Sequence, residues 1–284
     1  MSIKLDHVNY IYNLNTPIEH KALSDINLNI KDNIITAIVG HTGSGKSTLL
    51  QLFDGLLKPT SGQVIVDKFK LTATTKNKGL KPLRKEVGIV FQLPESQLFA
   101  ETVLKDVMFG PQNFGYSEEE AEQKAKKWLK RVGIAEELFE KSPFDLSGGQ
   151  MRRVAIAGVL AYEPKMLCLD EPAAGLDPAG KEEILNIFKA YQKEDHGIII
   201  VSHDMNDVAN FADEMIVMDN GKVARQDKVK NIFSNANWLR KHHLDEPETI
   251  SFALALRQKG IELDDTTPLT VPELAKEIVK RVKK

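Results

Sequence analysis

Gly40-His41-Thr42-Gly43-Ser44-Gly45-Lys46-Ser47 fits the pattern G-x-x-x-x-G-K-[ST], and no other feature constrains this 284-residue chain as strongly. It follows directly on Ile34-Ile35-Thr36-Ala37-Ile38-Val39, a β-rich apolar run suited to a strand covered on both faces. It leads into the apolar segment Ser47–Leu57, which reads as a helix stopped by Pro59. Glycines let backbone N–H groups turn inward around phosphate oxygens, and a helix N-terminus adds partial positive charge. The stretch Gly40–Thr48 is therefore expected to bind a nucleotide, with Lys46 reaching the β- and γ-phosphates and Ser47 ligating Mg²⁺.

A second segment completes that chemistry. In Lys165-Met166-Leu167-Cys168-Leu169-Asp170-Glu171, an apolar strand delivers two adjacent carboxylates to its C-terminal end, where open α/β sheets bind ligands. Asp170 suits the Mg²⁺ shell, and Glu171 can hold and polarise an attacking water. A third segment, Leu146-Ser147-Gly148-Gly149-Gln150, is another glycine turn opening a helix over Met151–Leu160, hence a second anion site. A chain with one nucleotide pocket and a spare phosphate-gripping turn makes sense if the spare turn caps the nucleotide of a neighbouring subunit.

The rest of the chain organises around these turns. Residues 3–39 read as strands and turns, and Val87–Phe91 as a short strand after the polar loop Thr72–Pro82. From Leu93 to Pro164 the pattern is helical, with Ser117 and Glu120 forming a capping box and Gly133 closing that helix. Strand Met166–Leu169, helix Ala179–Tyr191, strand Ile198–Val201 and helix Met205–Phe211 then alternate, which predicts a parallel sheet with helices on its faces. The expected fold class is α/β, with an N-terminal antiparallel β region and a helical subdomain at about 93–164 inserted into a domain spanning 1–233. A C-terminal helical extension over 234–284 follows: polar Asn235–Thr249, an apolar helix at Ile250–Gln258, and an amphipathic helix opened by Thr270, Pro272 and Glu273. It ends in Lys280-Arg281-Val282-Lys283-Lys284, read as a solvated, dipole-favoured helix terminus.

Composition narrows the function classes. Lys+Arg 38 against Asp+Glu 40 leaves no basic footprint, so nucleic acid is not an expected partner. The lone cysteine, Cys168, sits in an apolar run and reads as a small buried hydrophobe in a reducing compartment. No apolar stretch approaches the roughly 20 residues needed to cross a bilayer. Any membrane role is expected to go through a partner.

With these three segments in place, the chain resembles the ABC ATPases over roughly residues 3–230. In that family the stretch Leu146–Gln150 is the signature sequence, and two subunits sandwich two ATPs head to tail. The resemblance implies further roles. Gln92, after strand Val87–Phe91, resembles the glutamine that senses Mg²⁺ and attacking water. His203 resembles the switch histidine on the γ-phosphate. Ala173-Ala174-Gly175-Leu176-Asp177 resembles the loop that communicates across the dimer, with Ala173 where the family commonly has serine. Tyr12 resembles the aromatic that stacks on adenine, with Tyr10 as its rival. By the same resemblance Ser147, Gly148, Gly149 and Gln150 grip the partner's nucleotide.

A narrower resemblance lies in Phe91-Gln92-Leu93-Pro94-Glu95-Ser96-Gln97-Leu98-Phe99, Thr102–Val107 and Phe109-Gly110-Pro111. These look like the ATPases of energy-coupling factor importers, which take up vitamins or transition-metal ions. The form Asp170–Pro178 looks more like the second of the two ATPases. That resemblance implies a second ATPase, related or identical, a transmembrane coupling protein near Glu95–Leu98, a substrate-binding membrane component, and a peripheral location on the cytoplasmic face of the cell membrane. An ABC importer subunit outside this group is the alternative. Residues 49–145 hold no heptad array, as a chromosome-organising ATPase would need. A single cassette does not suit a translation factor, and a P-loop kinase would lack the signature. A degenerate, non-catalytic subunit is disfavoured because Glu171 and His203 are both kept.

Overall fold

In the computed structural model, residues 1–261, 263–264 and 267–282 are described, and two sheets share one layer of core between them. The first is antiparallel, built from β1 (Ile3–Tyr12), β2 (His20–Ile30), β4 (Ser61–Val66) and β5 (Phe69–Leu71) in the order β2-β1-β4-β5. The second holds β3 (Ile35–Val39), β6 (Val87–Val90), β7 (Met166–Asp170), β8 (Gly197–Val201), β9 (Glu214–Asp219) and β10 (Lys222–Lys228) in the order β10-β9-β3-β8-β7-β6. All its pairings are parallel except β10 with β9. The central strands β3 and β8 are buried at every residue, as expected for parallel strands covered on both faces.

Helices cover the second sheet. Helix α1 (Lys46–Phe53) lies between the sheets, and α2 (Lys81–Glu86) precedes β6. On the other face come α3 (Val103–Asn113), α4 (Glu118–Arg131) and α5 (Gly148–Leu160), then α6 (Pro178–Gln192) and α7 (Met205–Phe211). The chain continues through α8 (Val229–Phe233), α9 (Ala236–Lys241), α10 (Glu248–Gln258) and α11 (Val271–Val282). Leu239, Leu244 and Ile250 join the core cluster of the parallel sheet, whereas Ala253, Leu263 and Leu274 form a small separate one. No helix among the described residues is long and apolar enough to cross a membrane.

The α/β class, the parallel sheet and the strand–helix alternation after Pro164 are as expected from sequence. Ser117 and Glu120 form a reciprocal capping box at the start of α4, a device worth about 1 kcal/mol. Ser147 and Gln150 form a second one at the start of α5. Several boundaries differ. Helix α1 ends at Phe53, not Leu57, because Gly55 adopts φ +71 and Asp54 Oδ1 accepts the Leu56 amide, turning the chain before Pro59. The polar loop ends at Leu80, since Lys81 and Pro82 already belong to α2, where proline is tolerated in the first turn. The polar stretch 235–249 contains α9. Strands β4, β5, β9 and β10 had no sequence reading, and Lys283 and Lys284 lie outside the described residues. Cys168 is fully buried, and burial pushes its thiol pKa up.

Candidate active site

The loop between β3 and α1 wraps around its own lysine. Lys46 Nζ donates to the carbonyls of Gly40 at 2.8 Å and His41 at 3.0 Å, and its ammonium is nearly buried. Burial lowers its pKa, while the carboxylates of Glu171 and Asp170 oppose that shift. Gly40 (φ +148), Gly43 (φ +81) and Gly45 (φ +100) occupy conformations that side chains resist. At Gly40 the constraint is also steric, because a Cβ there would lie 2.2 Å from the Met218 carbonyl oxygen.

Strand β7 brings its carboxylates to this loop. The Ser47 hydroxyl hydrogen-bonds Asp170, which is half-buried; burial raises the Asp170 pKa, and that bond opposes the rise. Glu171 adopts φ +51, an uncommon conformation for a non-glycine residue, and its amide donates to the Val201 carbonyl of β8. Its Oε2 is approached from two sides, by Gln92 Nε2 at 3.4 Å and by His203 Nδ1 at 3.3 Å. The ends of β6, β7 and β8 thus converge on one carboxylate, next to the glycine-rich loop after β3.

Together these groups line a cleft of about 680 Å³. Tyr12, Gly40, His41, Thr42, Gly43, Gly45, Lys46, Ser47, Thr48, Gln92, Glu171 and His203 all face it. Tyr12 also bonds Thr48 through its hydroxyl, at 3.0 Å. Tyr10 does not line the cleft; it packs edge-on against Tyr12. Ser44, expected among the binding residues, has its side chain fully buried and off the cleft, where Oγ has no hydrogen-bond partner. Its geometry leaves only its main chain for a ligand.

Ser147, Gly148, Gly149 and Gln150 stand apart from this cleft, at the exposed start of α5. Gly149 instead borders a separate depression with Arg152, Arg153, Gly175, Asp177 and Gly180. Sequence reasoning missed His20, Ala22, Met205, His243, Leu244 and Asp245, which also line this cleft. It also missed Arg152, whose buried guanidinium reaches Glu95 and Ala174. An arginine on the core-facing side of α5 is the one signal that could have flagged it.

The oxygen donors present suit Mg²⁺. A hydroxyl, a carboxylate and an amide oxygen are hard ligands, and this ion typically takes few protein groups beside substrate phosphates. Among the described residues no cluster of three His, Cys, Asp or Glu side chains forms a metal cage.

Comparison with known proteins gives the class. The ABC transporter family pattern matches residues 23–174, and the chain belongs to that family as an ATP-hydrolysing subunit. Within it, the similarity is to energy-coupling factor transporter ATP-binding protein EcfA2. The protein of that name from Lactobacillus gasseri is 53% identical over 283 residues, covering 100% of this chain and 98% of its own. The one from Ligilactobacillus salivarius is 55% identical over 281 residues, covering 99% and 97%. Among solved structures, cbiO1 from Clostridium perfringens, part of the ABC transporter complex cbiONQ, superposes with TM-score 0.72 at 44% identity, over 84% of this chain and 93% of its own. A dimeric ATP-binding cassette bound to ADP and Pi after hydrolysis superposes with TM-score 0.71 at 35% identity, over 80% and 98%.

Proposed function

We propose that the chain powers an energy-coupling factor type importer through ATP-driven closure of an ATPase pair, with Glu171 as the base of hydrolysis. The observation that carries this reading is the convergence on Glu171, whose carboxylate meets Gln92 and His203 one residue beyond Asp170. In this mechanism Lys46 and the amides of Gly43–Ser47 hold the β- and γ-phosphates, and Tyr12 stacks on adenine. Ser47, Asp170 and Gln92 would hold Mg²⁺, which would supply neutralisation of charge on the phosphate oxygens.

Gln92 and Glu171 orient a water in line with the γ-phosphorus. As the water oxygen bonds to phosphorus, its proton passes to Glu171 and the bond to the bridging oxygen of ADP breaks. His203 steadies the γ-phosphate from the cis side. The partner subunit's Ser147 and Gly149 cap it from the other side, through the helix N-terminus that those residues open. ATP thus joins two subunits, and hydrolysis releases them.

The membrane side of the reading rests on the short 3-10 helix Pro94–Gln97 and its surroundings. Leu93, Phe99 and Phe109 are exposed beside it, and the two phenylalanine rings meet edge to face at 5.0 Å. An apolar patch of this kind suits docking of a transmembrane coupling protein. A separate membrane component would capture the vitamin or transition-metal ion, and the chain would sit peripherally on the cytoplasmic face. Its ATPase partner is a related or identical chain.

Glu171→Gln tests the assignment. Turnover should fall by about 10²–10⁴-fold while ATP-dependent association persists and lengthens. Wild-type turnover in that variant would refute the role of Glu171.

A further inference from the structure

The segment after α9 closes one side of the ATP cleft. His243, Leu244 and Asp245 line it together with the phosphate loop, Gln92, Glu171 and His203. Two tethers fix this turn in place. On the side of the phosphate loop, Asp219 at the end of β9 accepts a hydrogen bond from His242 Nδ1 at 2.9 Å, and its other oxygen lies 3.4 Å from His41 Nε2. On the side of the switch histidine, the Glu248 amide donates to Asn206 Oδ1 at 2.9 Å, in the helix that begins two residues after His203. The segment His242–Glu248 therefore bridges the loop that holds Lys46 and the helix that follows His203.

Its backbone carries a second message. Helix α9 ends with the Leu244 amide bonded to the Leu239 carbonyl at 3.0 Å and the His243 amide to the Arg240 carbonyl at 3.2 Å. This pattern demands a left-handed residue, a position that glycine ordinarily fills. Here it is His243, with φ +56. Leu244 is buried in the core and holds the turn down. His243 thus takes a position that glycine commonly fills, and it lines the cleft.

We propose that the turn His242–Asp245 is part of the nucleotide-binding surface and that the His243 imidazole contacts the bound nucleoside triphosphate. The proposal rests on the reading of the cleft as the ATP site.

The test uses the purified full chain and Mg²⁺-ATP, with affinity measured by calorimetry for wild type, His243→Gly, His243→Asn and Lys46→Ala. Glycine suits the left-handed position, and asparagine tolerates it, so both His243 variants should melt at or above the wild-type temperature. Both should nevertheless raise the Kd for ATP by about 3- to 10-fold, the loss of one hydrogen bond. ATP should also slow amide exchange across Leu239–Leu244 in wild type and not in His243→Gly. Should the glycine variant fail to fold, the asparagine variant decides. Wild-type affinity in the folded His243 variants, with Lys46→Ala abolishing binding, would overturn this inference alone. Wild-type affinity in Lys46→Ala would overturn the reading of the cleft itself, and this inference with it.

Discussion

The Arg152 guanidinium grips the Glu95 carboxylate in a fork, Nε to Oε2 at 3.1 Å and Nη2 to Oε1 at 2.9 Å. Its third arm, Nη1, donates to the Ala174 carbonyl at 2.7 Å. One side chain thus ties the helix opened by Ser147 to the segment after Gln92 and to the loop after Glu171. Burial pushes the Glu95 carboxyl up, and the bonds from Arg152 outweigh that and hold it below its ordinary range.

Removing Arg152 leaves Glu95 partly buried without its partner. Arg152→Ala should cost about 3 kcal/mol, the lower end for breaking a buried pair, since Glu95 keeps some contact with water. Urea denaturation measures this. ATP affinity should change little, because neither residue lines the cleft.

Gly40 admits no side chain. Gly40→Ala would push a methyl into the Met218 carbonyl and Ser44 Oγ at a left-handed φ. The variant should lose about 3 kcal/mol or more of stability and bind ATP poorly, as thermal melting and calorimetry would register.

Glu163 links the end of α5 to α4 through Lys124 at 2.6 Å and Lys127 at 2.7 Å. Burial pushes its carboxyl up, but those two hydrogen bonds prevail and hold it at about 2. A depressed folded pKa stabilises above the unfolded value near 4.5 and loses that stabilisation as pH falls toward about 2. Glu163→Gln should therefore cost about 1 kcal/mol at pH 7, modest because the groups are partly exposed. Melting curves of variant and wild type should converge as pH drops from about 4.5 to about 2.

Tyr12 faces the cleft, and Tyr10 stands behind it. Loss of one base–aromatic stack is worth about 1–3 kcal/mol, so Tyr12→Ala should raise the KM for ATP by about 10-fold. Tyr10→Ala should raise it less. Steady-state ATPase kinetics separate the two.

The gathering of these residues in one cleft was legible in sequence because each part sits where a core strand turns into a helix or loop. Gly40–Ser47, Gln92 and His203 follow β3, β6 and β8, and Asp170-Glu171 sits at the end of β7; a parallel sheet gathers such ends on one edge. His243 was not legible. Its approach depends on Leu244 and Ile250 packing into the main core and on Asp219 reaching His242, contacts that no local pattern encodes. The polar character of 235–249 hid α9 because its single buried anchor, Leu239, is too little for a helical stripe. Strand β10, Lys-Val-Ala-Arg-Gln-Asp-Lys, is an edge strand with no buried residue, and it lacks the apolar run that betrays central strands.

The most direct measurement is a structure of the assembled ATPase pair carrying Glu171→Gln, with Mg²⁺-ATP bound. The account predicts Ser147 Oγ and the Gly149 amide of one subunit at about 3 Å from γ-phosphate oxygens held by the other's Lys46 loop. A closed, ATP-loaded pair in which residues 147–150 touch no triphosphate would contradict it.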